Sequence, residues 1–327
     1  MSICVDESVD VGRSYQGPSS ISIEGCYFRR TLVYSGSLSS GGVIFVDSAG
    51  HSLVIMNTMF FNCRVASNGN GGGIYFRSLE AHLRNICACK CSGNACHFAS
   101  ISVNSTKYNR VEFLSMLLCP DNKVGDSPIY LDYGDLIFSN SNSSSNIVQL
   151  FSGAFLNNPT STQSKYCSYS SNYAEIENCI YLSYTNGAME YTNVVNNTSP
   201  SGTGVLYIWD GTTNISNCIF MNNSDTLFFA DDGHLRIQNC YIYHFGIESK
   251  TSGTGSIIFD DNINRNLTNT IVISHFASFH CQTIHHIPTE DSSIFILPYR
   301  TFDEQCTFHV RNKMSFMLIF TIIPFFV

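Results

Sequence analysis

A short pattern that recurs along the chain is the feature that most restricts its fold. The pattern is an apolar residue, any residue, a second apolar residue, any residue, Asn or Gly, a small residue, any residue and a final apolar residue. Its clearest copies contain cysteine and are ISIEGCYF at 21–28, AEIENCIY at 174–181, TNISNCIF at 213–220 and LRIQNCYI at 235–242. Looser copies are LVIMNTMF at 53–60, AHLRNICA at 81–88, MEYTNVVN at 189–196 and NLTNTIVI at 266–273. We expect a chain that repeats in this way to build one structural unit many times.

The order of apolar residues within the pattern predicts two strands joined by a bend. Leu235 and Ile237 lie two apart and share one strand face, whereas Cys240 and Ile242 point to the same side only if the chain changes phase between the two pairs. Asn239 stands at that change, and Asn and Gly enter the left-handed backbone region at low cost. The predicted structural positions of this kind are Gly25, Cys26, Asn178, Cys179, Asn217, Cys218, Asn239 and Cys240.

The cysteine spacing predicts the length of one turn of the chain. The interval from Cys218 to Cys240 is nearly equal to that from Cys63 to Cys87, and the interval from Cys179 to Cys218 comes close to two such units. The shorter interval, roughly 20 to 25 residues, suits one turn of a solenoid of short parallel strands. Abundant Ser, Asn, Gly, Phe and Tyr also favour strands and turns over helices. The alternative is an antiparallel β-sandwich, although a sandwich gives no reason for the repeat.

Two further motifs carry a family resemblance. GGVI at 41–44 and GGGI at 71–74, with FLNN at 155–158 and FMNN at 220–223, resemble the GG-[A/I/L/V] and F-x-x-N signatures of polymorphic outer-membrane proteins. The chain is similar to the trichomonad members, which are rich in I-x-N-C-x-F rungs. Over residues 20 to 280, the resemblance implies a right-handed parallel β-helix at the cell surface with a role in adhesion.

We therefore predict an all-β fold, a right-handed parallel β-helix (solenoid) followed by a C-terminal hydrophobic tail. The predicted parts are an N-terminal segment or cap at 1–19, the repeat domain at 20–285, an irregular linker at 286–313 and the tail at 314–327. The tail, MSFMLIFTIIPFFV, has fourteen uncharged residues, or about 21 Å of helix, against a hydrocarbon core of ~30 Å. We interpret it as a truncated transmembrane anchor; a buried final strand and an interfacial tail are the alternatives.

Composition excludes several functional classes. The 17 basic and 25 acidic residues give a net charge of −8, so there is no electrostatic footprint for nucleic acid. The sequence contains no G-x-S-x-G motif, P-loop or dinucleotide fingerprint, and it predicts no cofactor. The first residues show no basic start followed by an apolar core, so no signal peptide is visible.

Two clusters of metal-ligating residue types are present. The first contains the candidate metal ligands Cys87, Cys89, Cys91 and Cys96. Cysteines two apart on a strand share a face, so they could converge on a soft metal, form disulfides with neighbouring rungs or remain buried structural residues. The second cluster contains His280, Cys281, His285 and His286, whose spacing matches no recognised zinc site.

An enzymatic interpretation needs carboxylates held together on one face of the coil, because β-helix enzymes that cut polysaccharides work through such groups. The candidates for catalysis are Asp231, Asp232, His234 and Arg236, with Asp260 and Asp261 as a second acidic pair. Adjacent strand residues point to opposite faces, and both Asp pairs also suit turns between rungs.

The function expected from the sequence is that of a non-enzymatic cell-surface β-helix that mediates adhesion to host cells, matrix or glycans. A polysaccharide lyase or hydrolase and a purely structural surface coat are the alternatives. The expected partners are a host-cell, matrix or glycan ligand and, through the tail, the plasma membrane. If the chain is exported, its candidate N-glycosylation sites are Asn104, Asn142, Asn196, Asn197, Asn214, Asn222 and Asn266.

Overall fold

The computed structural model describes residues 4–5, 19–33, 40–65, 69–120, 123–200, 202–224, 226–243, 246–260 and 309–310. Within these residues the chain is all-β, without a helix, and its parallel strands stack as a β-solenoid of about 8 turns. The predicted parallel β-helix is confirmed, and the antiparallel sandwich is excluded.

The strands differ greatly in length because some bend from one face of the solenoid to the next. In chain order they are β1 (Cys4–Val5), β2 (Ser19–Glu24), β3 (Tyr27–Arg29), β4 (Leu32–Val33), β5 (Ile44–Asp47), β6 (His51–Phe61), β7 (Arg64–Val65), β8 (Ile74–Arg77), β9 (Glu80–Cys89), β10 (Cys96–Ser102), β11 (Tyr108–Leu117), β12 (Ser127–Asp132), β13 (Asp135–Ser139), β14 (Asn142–Ser144), β15 (Ile147–Val148), β16 (Ala154–Asn157), β17 (Ser161–Lys165), β18 (Ser168–Ser170), β19 (Tyr173–Ala174), β20 (Ile180–Glu190), β21 (Asn193–Val195), β22 (Leu206–Ser216), β23 (Ile219–Met221), β24 (Phe228–Asp231), β25 (His234–Gln238), β26 (Tyr241–Tyr243), β27 (Ser249–Ser252), β28 (Ser256–Phe259) and β29 (His309–Val310).

Parallel pairing between successive turns produces three faces. Face 1 is formed by β5, β8, β10, β12, β16, the first parts of β20 and β22, β24 and β27. Face 2 is formed by β2, the first parts of β6, β9 and β11, then β13, β17, the second parts of β20 and β22, β25 and β28. Face 3 is formed by β3, the second parts of β6, β9 and β11, then β14, β18, β21, β23 and β26. Strand β29 pairs antiparallel with β2.

Single residues in the left-handed region form the corners at both ends of face 3. Such a residue reverses the alternation of side chains, so the apolar residues on both sides of a corner point inward. This confirms the predicted corner role of Gly25 (φ 64°), Asn217 (φ 55°) and Asn239 (φ 51°). The corner from face 2 to face 3 is formed by Gly25, Asn57, Asn85, Phe113, Asn140, Tyr166, Tyr191, Asn217 and Asn239. The corner that ends face 3 is formed by Arg30, Asn62, Lys90, Leu118, Ser145, Ser171, Asn196 and Asn222.

The prediction for Asn178 was wrong. Asn178 is fully buried, is absent from the residues with positive φ and lies just before β20, where the chain begins face 1. The copy at 174–181 therefore occupies a different part of the turn, because a short alternation around Asn-Cys fits more than one junction.

Turn length also varies more than predicted. Ile44 pairs with Ile74 near the start of face 1, whereas Phe228 pairs with Ser249 near its end. The first of these turns is therefore the longer by several residues, and the extra residues lie in the connections between strands.

A buried ladder runs along the inside of the corner that ends face 3. It begins with Thr31, Cys63, Cys91 and Cys119 and continues as four asparagines, Asn146, Asn172, Asn197 and Asn223. The Cys119 backbone N–H donates to Asn146 Oδ1 at 2.7 Å, which joins the two parts. Asn172 Oδ1 accepts from both the backbone N–H and the Nδ2 of Asn146, each at 3.0 Å. The same pair of bonds links Asn172 to Asn197 and Asn197 to Asn223.

The paired glycines of the GG motif have separate structural roles. Gly41 (φ 70°) and Gly71 (φ 68°) occupy the left-handed region just before face 1. A Cβ on Gly42 would lie 2.1 Å from the carbonyl oxygen of Gly72, its neighbour in the next rung. The first glycine therefore provides the turn, and the second allows two rungs to approach closely.

The two F-x-x-N copies are not equivalent. Phe155 is half-buried in β16 on face 1, whereas Phe220 lies in the core on face 3. The motif therefore does not mark one fixed position within the turn.

Several sequence predictions lie outside the described residues. These concern the parts of 1–19 other than Cys4, Val5 and Ser19, the repeat domain beyond residue 260, the linker at 286–313 apart from β29, the tail at 314–327, Asn266, Asp261 and the second cluster with His280, Cys281, His285 and His286. Among the described residues, no helix is both long enough and apolar enough to cross a membrane.

Candidate functional site

A continuous row of aromatic side chains lies on the outside of face 1. We call it the aromatic strip, and it consists of Tyr130, Phe155, Tyr181, Tyr207 and Phe229, which are in register on five successive rungs. Successive ring centroids are 4.8, 4.6, 5.1 and 5.1 Å apart. The ring planes are inclined to each other by 65°, 39°, 37° and 70°, so the rings do not form a closed parallel stack. All five residues are half-buried and remain in contact with solvent.

Strand alternation places these rings on the surface. In β20, for example, Ile180 and Leu182 point into the core and Tyr181 lies between them on the outer side. Phe151 packs beside the row from the preceding connection, with its ring centroid 4.6 Å from that of Tyr181 and 4.7 Å from that of Phe155. Because Phe151 is buried, it supports the middle of the strip.

Two residues further along the strands of the strip lie mostly polar side chains, which we call the polar row: Asp132, Asn157, Ser183 and Asp231, with Trp209 at the same position of β22. Asn157 Nδ2 donates to Asp132 Oδ1 at 2.9 Å and to the hydroxyl of Tyr130 at 2.8 Å. The Tyr207 hydroxyl donates to Asp231 Oδ2 at 3.0 Å. The strip and this row therefore form one surface that combines aromatic rings with amide, hydroxyl and carboxylate groups.

The ionisable side chains of the polar row are the carboxyl groups of Asp132 and Asp231. Burial raises the pKa of Asp132 and that of Glu177, and it raises the pKa of the Tyr181 hydroxyl to about 12. The outward positions on face 1 from β12 to β24 contain no Lys or Arg. A cation is found at the end of the strip, where Lys250 Nζ lies 5.2 Å from the centroid of the Phe229 ring.

An exposed aromatic pair borders the strip at the corner between faces 1 and 2. The side chains of Tyr184 and Trp209 are 41% and 40% exposed, and their ring centroids are 5.2 Å apart. Trp209 is the single tryptophan of the chain. The pair extends the aromatic surface sideways, beyond the row of half-buried rings.

The structure does not bring the four catalytic candidates together. Asp231 ends β24 on face 1 and accepts from Tyr207, whereas Asp232 is an exposed corner residue with φ 54°. Asp232 Oδ1 accepts from the backbone N–H of Thr254 at 2.7 Å and from its hydroxyl at 3.1 Å. These bonds lower the pKa of Asp232 and show that it stabilises the next turn.

The two other candidates lie on face 2 and pair with the following rung. His234 Nδ1 is 2.8 Å from the hydroxyl oxygen of Ser256, and Arg236 forms an exposed ion pair of 3.3 Å with Asp260. Neither residue is on the face that carries Asp231.

The cysteine cluster is divided by a corner. Cys87 and Cys89 lie on the opposite side of β9 from Ala88, which belongs to the core, and so face away from the interior. Lys90 has φ 55° and reverses the alternation, so Cys91 points inward into the buried ladder. Cys87 is disulfide-bonded, and burial raises the pKa of Cys96 to about 12. The described residues contain no group of three or more His, Cys, Asp or Glu side chains that could hold a metal ion.

The candidate glycosylation sites differ in exposure. Asn104, Asn196, Asn214 and Asn222 are exposed, and Asn142 is half-buried. Asn197 is fully buried in the asparagine ladder. Of the overlapping sites at Asn196 and Asn197, only Asn196 is accessible in the folded chain.

Sequence reasoning missed the aromatic strip, although a signal was present. The strands of face 1 repeat a four-residue order of apolar, aromatic, apolar and variable residues. The copies are IFVD at 44–47, IYFR at 74–77, IYLD at 129–132, IYLS at 180–183, LYIW at 206–209 and FFAD at 228–231, with AFLN at 154–157 as a variant. An alignment on the Asn-Cys pattern alone does not identify this second repeat.

Comparisons with protein-family models, with curated proteins and with solved structures give no match for the chain.

Proposed function

We propose that the solenoid is a non-enzymatic adhesion protein of the cell surface and that it binds carbohydrate through the aromatic strip. The observation that carries this proposal is the row of five half-buried rings in register on face 1. The three tyrosines of the strip suit such a role because each combines an apolar ring with a polar hydroxyl, and the two phenylalanines add apolar surface. The long surface of a solenoid also suits an extended ligand.

The polar row supports a carbohydrate ligand in particular. Sugars present apolar C–H faces, which pack on aromatic rings, and hydroxyl groups, which need hydrogen-bond partners. Asp132, Asn157 and Asp231 supply such partners beside Tyr130 and Tyr207. Polar groups placed next to an apolar surface orient a ligand and provide specificity.

A binding assay with matched variants tests the proposal. We expect the chain to bind an immobilised glycan panel and Tyr181→Ala or Tyr207→Ala to weaken binding about tenfold, since each removes a central ring. The matched control is Tyr166→Ala, because Tyr166 is 43% exposed and stacks on Tyr191 at another corner. Equal binding by all three variants would contradict the role of the strip, and thermal unfolding of each variant establishes that it is folded.

The same assay separates the alternatives to adhesion. A shortened glycan product that requires Asp231 would favour a polysaccharide-cleaving enzyme. A failure to bind any glycan or cell surface would favour a structural coat.

Display at the cell surface is tested on the protein isolated from its own cells. We expect enzymatic removal of N-glycans to lower its mass and peptide mapping to place the glycans among Asn104, Asn196, Asn214 and Asn222, because these sites are exposed. Asn197 should be unmodified since its side chain is buried. An unchanged mass, or a glycan on Asn197, would contradict this part of the proposal.

A further inference from the structure

We infer that the aromatic strip binds a linear, uncharged polysaccharide that lies along the solenoid axis. This inference rests on the proposed carbohydrate-binding function and adds the class and direction of the ligand. It is carried by the line of the five rings and by the charge of the groups beside them.

The direction follows from the register of the strands. The five rings occupy the same position on five rungs, so the line through them runs across the strands and parallel to the solenoid axis. Rungs are ~4.8 Å apart, which gives the strip a length of about 20 Å between the first and last ring. Such a strip contacts several consecutive sugars of a chain, whereas a single sugar covers only part of it.

The class of ligand follows from the charged groups. Asp132 and Asp231 lie in the polar row. Glu177 and Asp231 also lie near the hydroxyl groups of Tyr181 and Tyr207. Burial is the main cause of the raised pKa of these two hydroxyls, and the two carboxylates raise it further. A uronic acid or sulfated chain would place its negative charges beside these carboxylates, where repulsion opposes binding. Recognition of anionic groups normally uses arginine or lysine, and the outward positions of face 1 from β12 to β24 contain neither. Lys250 is on the following rung, in register with Phe229, so its positive charge lies at one end of the strip, away from the central rings.

The carboxylates favour a ligand rich in hydroxyl groups. An ionised carboxylate accepts about four hydrogen bonds, and Tyr207 donates one of them to Asp231. Sugar hydroxyls are donors that can occupy the remaining positions. A neutral chain therefore matches the surface both through its C–H faces and through its hydroxyls.

The experiment compares oligosaccharides of equal length and different charge. The neutral probes are cello-, manno- and laminari-oligosaccharides of two, four and six sugars, and the acidic probes are oligogalacturonates and heparin fragments of the same lengths. We expect the best neutral hexasaccharide to bind at least tenfold more tightly than its disaccharide and than any acidic hexasaccharide, as measured by calorimetry. Neutralising the acidic row with Asp132→Asn and Asp231→Asn should reduce the discrimination against acidic chains, whereas the control Glu190→Gln on face 2 should not.

The outcomes separate this inference from the proposed function. Tighter binding of acidic chains, or affinity that stops increasing at the disaccharide, would overturn the inference. The strip would still be a carbohydrate site if Tyr181→Ala weakens binding of the chains that do bind. The absence of binding by every oligosaccharide would overturn both.

Discussion

Replacing Asn172 by leucine is expected to lower the free energy of unfolding by about 3 kcal/mol or more. Asn172 is almost completely buried, and its Oδ1 accepts two bonds from Asn146 while its Nδ2 donates to the carbonyl of Ser143 and to Asn197. Leucine has a similar size but can replace none of these bonds. Each buried partner left without a bond costs about 1–3 kcal/mol. Urea unfolding monitored by circular dichroism measures the effect.

The matched control is Asn214→Leu. Asn214 is exposed on β22, so its replacement should change stability by only about 0.5 kcal/mol. Equal unfolding midpoints for the two variants would show that the asparagine ladder does not stabilise the solenoid.

Replacing Gly71 by alanine is expected to destabilise the chain by a similar amount, about 3 kcal/mol or more, through two separate effects. Gly71 has φ 68°, and a left-handed conformation costs a residue with a Cβ about 1–2 kcal/mol. The new Cβ would also lie 1.9 Å from the carbonyl oxygen of Ile74, so the backbone that leads into β8 must shift. Overpacking of this kind adds about 1–3 kcal/mol.

Gly202→Ala isolates the first of these effects. Gly202 has φ 75°, but among the described residues, its two chain neighbours apart, no atom lies within 4 Å of the position that its Cβ would take. We expect a loss of about 1–2 kcal/mol for this variant, from backbone conformation alone. If both alanine variants unfold at the same urea concentration, the close contact at Gly71 does not contribute to the loss of stability.

The corners of the solenoid could be predicted from the sequence because their physical requirement is local. One residue must enter the left-handed region between two alternating apolar stretches, and Gly25, Asn217 and Asn239 meet that requirement within a short stretch of chain. Aromatic residues serve in the same role elsewhere, as Phe113 and Tyr166 do. Those corners could not be found by composition, since tertiary packing supports a conformation that these residues seldom adopt alone.

The candidate site could be predicted only in part. The sequence identifies Asp231 as a candidate functional carboxylate. Its hydrogen-bond partner Tyr207 lies one rung earlier, and their contact depends on the register between the two strands. For the same reason Cys87 and Cys91 are separated by the corner at Lys90, although their spacing suggests a shared face. Contacts between rungs depend on turn length, which varies along this chain and which no local pattern specifies.

The variable turn length leaves the spacing of the aromatic strip unchanged. The turn from Tyr181 to Tyr207 is longer than the turn from Tyr207 to Phe229, yet both pairs of ring centroids are separated by 5.1 Å. The distance is set by the backbone hydrogen bonds between rungs, and the extra residues are accommodated in the connections. Insertions and deletions in those connections can therefore alter what surrounds the binding surface without changing its period. Substitutions in the strands change the side chain that each rung contributes to the strip. The surroundings of the strip and its chemistry can therefore evolve independently.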